Sequence, residues 1–221
     1  MPNYPQDLVV LVADGAIQQV VQTLLKTRQQ SLGIRSVVCD VVRDALHDSG
    51  SESKAVDLLR GYCRSHQYAL LIRDLEGSGW EDEGAASMEQ KFTAALEANG
   101  WDGRVATIVL EPEIEVWLRF DSPAFTGLIK GQARMRRGDG DAEIKATAAR
   151  HAQRTGGCTD INKPVRPKEV FESVLADYGV IRSNSLYGHL AERESLKVCQ
   201  VPSFVRLKSQ LTDWFASLRR Q

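Results

Sequence analysis

Three short apolar runs, Leu8 to Ala13, Tyr68 to Ile72 and Val105 to Leu110, are each followed within two residues by an acidic side chain. Between them the apolar spacing changes to that of helices. An unbroken apolar run suits a strand buried on both faces, and such strands belong to parallel sheets covered by helices. The alternation therefore restricts the chain to the α/β class, a mostly parallel sheet with flanking helices.

Ile17, Val20, Val21, Leu24 and Leu25 repeat at helical spacing after the first run, and Gly33 precedes a second strand candidate, Ser36 to Val42. Ala55, Leu58, Leu59 and Tyr62 mark the next helix. Ser87 and Gln90 have capping-box spacing ahead of Met88, Phe92, Ala95 and Leu96, with Asn99-Gly100 as the stop. Pro112 suits the first turn of a helix carrying Glu113, Glu115, Trp117 and Leu118. This α/β unit is expected over residues 1–125. A polar connecting segment should follow over 126–160, where Arg134, Arg136 and Arg137 stand beside Asp139, Asp141 and Glu143, and it reads as a long exposed loop or frayed helix. Residues 161–221 read as helical, with Phe171, Val174, Leu175 and Tyr178 on one face and Phe204, Leu207, Leu211, Trp214 and Phe215 on another.

A formal net charge of -1 argues against a globally basic nucleic-acid surface, so any such contact must be local. Cys39, Cys63, Cys158 and Cys199 form no C-x-x-C pair and suggest neither a zinc ribbon nor a disulfide framework. No segment approaches the roughly 20 apolar residues of a membrane span. A cytoplasmic chain with no membrane partner is expected. There is no phosphate-binding G-x-x-x-x-G-K-[ST] or G-x-G-x-x-G sequence, so any ATPase would be a separate chain.

The acidic residues after the strands carry the chemistry. In a parallel sheet the carboxyl ends of the strands share one edge, so Asp14, Asp74 with Glu76, and Glu113 with Glu115 can converge there. Each also has a structural role open to it: Asp14 can cap the following helix, Asp74 and Glu76 can sit in a solvated turn, and Glu113 or Glu115 can favour a helix start. Converging carboxylates need a cation, and hard oxygen donors suit Mg²⁺ or Mn²⁺ acting on phosphate. If Glu113 and Glu115 lie in a helix they diverge by about 200°, so one of the two would face the metal.

The succession LVVLVADG, YALLIRDLEGSG and TIVLEPEIEVWL resembles Toprim-like proteins, over roughly half of the chain. The segment Pro112-Glu-Ile-Glu-Val-Trp117 is similar to the P-x-x-E-x-W signature of small Toprim-like proteins, including the RloB-like group of bacterial defence islands. The tail RPKEVFESVL with SNSLYGHLAERESLKVCQVPSFVRLK resembles a defence-island branch of the same proteins. The resemblance implies a Toprim-like fold and a Mg²⁺ or Mn²⁺ site built from Asp14, Asp74, Glu76 and Glu115, with Glu113 as a further ligand candidate. It also implies nuclease or phosphotransfer activity in a multi-gene anti-phage system alongside an ATPase or methyltransferase. Asp14 stands where those proteins usually have glutamate.

Among the C-terminal cations Lys163, Arg166, Lys168, Arg182 and Arg193, the Arg166-Pro167-Lys168 segment is placed to hold Lys168 on a substrate phosphate, or simply to start a helix. Two other readings remain open: a non-catalytic Toprim-like adaptor binding a partner protein or nucleic acid, DNA or RNA, and a small-ligand sensor, which the acidic strand ends disfavour.

Overall fold

The computed structural model describes residues 4–44, 51–132, 140–157 and 160–217. Strands β1 (Gln6–Val12), β2 (Cys39–Arg43), β3 (His66–Asp74) and β4 (Val105–Leu110) form one all-parallel sheet in the order β2-β1-β3-β4. The chain is thus α/β, as its apolar runs require.

Strand alternation sends Leu8, Val10, Val12, Leu70, Ile72 and Leu110 to one apolar cluster and Val9, Leu11, Ala69, Leu71 and Val109 to the other. Helices α3 (Glu52–Arg60) and α4 (Gly84–Leu96) close the second cluster through Leu59, Met88 and Phe92. The first is closed by α1 (Gly15–Thr27) and the short α2 (Gln29–Leu32). The later helices α5 (Pro123–Gln132), α6 (Asp141–Gly156), α7 (Pro167–Asp177), α8 (Asn184–Arg193) and α9 (Pro202–Phe215) bury their apolar faces in that same cluster. Each fully buried Leu, Val or Phe there contributes about 1.5–3 kcal/mol, so the C-terminal helices are held against the sheet by the same core that holds α1.

The outer edge of β4 is blunted by side chains. The Val109 amide donates to Glu89 Oε1 at 2.8 Å, and Arg206 of α9 pairs with the same oxygen at 2.8 Å, so neither group is left as a template for another strand.

Four local expectations change. Glu111–Pro112 is a cis peptide, and the residues after it form a 3-10 turn, Ile114–Trp117, instead of an α-helix beginning at Pro112. Helix α4 starts at Gly84, ahead of the Ser87–Gln90 spacing, and no side chain caps it. Strand β2 begins at Cys39, not Ser36. The segment expected as an exposed loop or frayed helix holds the end of α5 and all of α6, whose Ile144, Thr147, Ala148 and Ala152 are buried; small residues made its apolar stripe hard to see. Arg134, Arg136, Arg137, Asp139 and Cys158 lie outside the described residues. Among the described residues no helix is long and apolar enough to cross a membrane.

Candidate functional site at the carboxyl edge of the sheet

Chain order reverses between β1 and β3: β2 lies on the far side of β1, and β4 on the far side of β3. This is the switch point at which loops diverge and leave a crevice in an open α/β sheet. Asp14 and Asp74 flank it, Asp14 two residues beyond β1 and Asp74 as the last residue of β3.

Asp14 does cap α1: its Oδ1 accepts from the Ile17 amide at 2.9 Å. The cap leaves the carboxylate on the crevice, where its negative charge acts on Asp74. Gly15 lies closely packed beside it. A Cβ at that position would stand 2.1 Å from Asn184 Nδ2 and 3.4 Å from Arg43 Nη1, so a larger residue there would displace the Asn184 side chain, the first of α8, from the start of α1.

Asp74 Oδ1 is buried and has no hydrogen-bond partner among the described residues. Burial, reinforced by the charges of Asp14, Glu115 and Glu113, holds its carboxyl well above the usual carboxylate range, with Lys168 opposing. These residues come from β1, β3, the turn after β4 and α7, so the fold gathers groups widely spaced along the chain.

Glu113 is buried and accepts from Lys168 Nζ at 2.9 Å; burial raises its carboxyl while that bond pulls it back. Glu115 is 1% exposed and accepts from the Tyr187 hydroxyl and from Arg182 Nη2 at 3.4 Å. Burial raises the Glu115 carboxyl against the Tyr187 bond. It also raises the Tyr187 phenol, together with the Glu115 charge. Arg182 in turn reaches Glu172 at 2.7 Å and Tyr187 at 3.1 Å. The irregular 3-10 turn brings both Glu113 and Glu115 inward, contrary to the divergence an α-helix would impose.

Glu76 behaves differently. It is exposed in the turn beyond β3, its amide donates to the Pro112 carbonyl at 3.0 Å, and its charge is felt by Glu113 and Arg166. Arg166 flanks the start of α7 and pairs with Glu169 at 2.8 Å, and Arg193 lies in the last turn of α8. Arg166-Pro167-Lys168 is thus both a helix start and the means of delivering Lys168 to the cluster.

Two of the four converging carboxylates, Glu113 and Glu115, form ion pairs; among the described residues Asp14 and Asp74 form none, and Lys168 acts on Asp74 without pairing with it. No group of three or more His, Cys, Asp or Glu side chains stands ready as a ligand set among the described residues. Mg²⁺ keeps several waters and binds through one or two carboxylates plus substrate phosphate, so it does not require such a set. Asp74, with its unpartnered Oδ1, and Asp14 across the switch point are the residues that could hold such a cation.

Sequence reasoning missed Tyr187, Asn184 and Arg43 at this edge, and also the buried pair of Asp44, just after β2, with Arg73 of β3 at 2.9 Å. The acid after β2 was visible in Val41-Val42-Arg43-Asp44; the tyrosine lay in a helical face without any signal of its own. An α/β sheet with an acidic switch point defines the class of protein. Comparison of the chain with protein-family models, with curated proteins and with solved structures finds no match.

Proposed function

We propose that this chain is a Toprim-like, Mg²⁺- or Mn²⁺-dependent nuclease or related phosphotransfer component of a multi-gene bacterial anti-phage defence system. The observation that carries the reading is the buried, unpartnered Asp74 oxygen facing Asp14, Glu113 and Glu115 at the switch point of the sheet. A carboxylate kept in such a field costs stability and serves no structural bond, which is the pattern of a residue retained for binding a cation.

Asp14 and Asp74 would hold the cation, which would supply Lewis-acid polarisation of a phosphate oxygen. Lys168, paired with Glu113 and acting electrostatically on Asp74, can donate to a non-bridging phosphate oxygen. Glu115, fixed by Tyr187 and Arg182, positions the turn that carries Glu113. Glu76, on the exposed rim, is available to orient an attacking water.

The ion pairs of Glu113 and Glu115 favour a second reading, a Toprim-like adaptor that keeps the fold without turnover and binds a partner ATPase, methyltransferase or nucleic acid. Incubating plasmid, single-stranded DNA and tRNA with wild type and Asp74→Asn in Mn²⁺ separates the two. Cleavage by wild type alone supports the nuclease. No cleavage by either, with the proteins encoded beside it added, leaves the adaptor.

A further inference from the structure

The carboxyl edge of the sheet carries two side chains that the cation does not use, Arg43 and Asn184. Arg43 is the last residue of β2 and pairs in register with Val12, two residues before Asp14. Asn184 is the first residue of α8. Both are exposed, and among the described residues neither side chain has a hydrogen-bond or ion-pair partner. They meet over Gly15, where the place of a Cβ lies 2.1 Å from Asn184 Nδ2 and 3.4 Å from Arg43 Nη1. Helix α8 is fixed in that position by α1. Gly188 lies against α1 so closely that a Cβ would stand 3.3 Å from Thr23 Oγ1 and 3.4 Å from Gln19 Oε1. Arg28, just past the end of α1, donates to the carbonyls of Ala191 and Glu194, each at 2.9 Å. These contacts run the length of α8 and hold Asn184 at the start of α1.

A guanidinium only donates, and a carboxamide nitrogen brings two more N–H groups. Two donor nitrogens facing one space, with no acceptor between them, suit an anionic oxygen, and the arginine fork matches phosphate in a bidentate pair. The order of the strands fixes where that space lies. Across the carboxyl edge come Arg43 on β2, Asp14 after β1, Asp74 at the end of β3 and Glu113 after β4. The space therefore adjoins Asp14 on the side away from Lys168, which is tied to Glu113. A phosphate held there could also complete the shell of a Mg²⁺ ion on Asp14 and Asp74, because Mg²⁺ binds phosphate oxygens readily.

We propose that Arg43 and Asn184 form a phosphate-binding corner on the β2 side of the acidic pair. Its part in phosphotransfer rests on the proposed function; phosphate binding itself does not, and the two are tested separately. Melting temperature is followed against inorganic phosphate, with sodium chloride at matched ionic strength as the reference, in EDTA and again in Mg²⁺. The proteins are wild type, Arg43→Gln, Asn184→Ala and Asp74→Asn. Arg43 and Asn184 are exposed, so these changes leave the fold intact, and Arg64→Gln, an exposed arginine just before β3 at the opposite edge of the sheet, is the control. In EDTA, phosphate should stabilise wild type beyond chloride. Arg43→Gln should raise the apparent Kd about tenfold, Asn184→Ala about threefold, and Arg64→Gln less than about twofold. Asp74→Asn should leave phosphate binding in EDTA no weaker. Mg²⁺ should tighten phosphate binding in wild type and not in Asp74→Asn. No gain from phosphate over chloride, or a gain that survives both Arg43→Gln and Asn184→Ala, would overturn the proposal. Corner-dependent binding that Mg²⁺ leaves unchanged removes the cation reading and leaves the corner standing; a Mg²⁺ effect without dependence on Arg43 or Asn184 does the reverse.

Discussion

Replacing Asp74 with asparagine should stabilise the metal-free protein. The side chain keeps its shape and loses a charge that burial, Asp14, Glu115 and Glu113 all disfavour. A buried ion costs several kcal/mol after relaxation; Lys168 and the solvated part of the residue return some of that, leaving a gain of about 1–3 kcal/mol. For a chain of 221 residues a gain of about 2 kcal/mol raises Tm by about 4–8 °C. The pH dependence has a definite sign. Because the folded-state value is raised, the folded chain holds the Asp74 proton more tightly than the unfolded chain, so the penalty is absent below the ordinary aspartate value of 3.8. It grows as pH rises through the window up to the raised folded value and is constant above it. Thermal melts in EDTA at about pH 4, 6 and 8 should therefore show the advantage of Asp74→Asn widening with pH. A variant no more stable than wild type at pH 8, or one whose advantage shrinks with rising pH, would refute the electrostatic account.

Tyr187→Phe removes the hydroxyl that serves the buried Glu115 and should cost about 1.5–3 kcal/mol in urea denaturation; a loss under about 0.5 kcal/mol would mean that Arg182 alone suffices. Lys168→Met leaves the buried Glu113 without its cation and pushes its carboxyl further up, so the destabilisation, about 0.5–1.5 kcal/mol after screening, should be largest at high pH and fade towards pH 4. A loss independent of pH would point to packing instead. Asp44→Ala removes the carboxylate paired with the buried Arg73 and should lower stability by about 3–5 kcal/mol, the largest effect of the set, measured by the same melts.

The parallel sheet was legible because β1, β3 and β4 are continuous apolar runs, and a strand buried on both faces leaves that trace. Placement of Asp14, Asp74, Glu113 and Glu115 followed from parallelism alone, since every strand then ends at the same edge. What stayed hidden depended on tertiary packing. The cis Glu111–Pro112 bond and the 3-10 turn are set by contacts that a propensity reading of Pro112 does not contain. Helix α6 hides its buried face in alanine and threonine, which carry little hydropathy. The partners of Glu115 come from Arg182 and Tyr187, 67 and 72 residues further along, and no local pattern joins them.

Asp14 and Asp74 are the proposed holders of a divalent cation. Calorimetric titration of Mn²⁺ into the metal-free protein at pH 8 tests it without assuming any substrate. Saturable one-site binding in wild type, lost in both Asp14→Asn and Asp74→Asn while their folds stay intact, is the predicted result. Absence of saturable binding up to millimolar Mn²⁺, or binding that survives both substitutions, would contradict it.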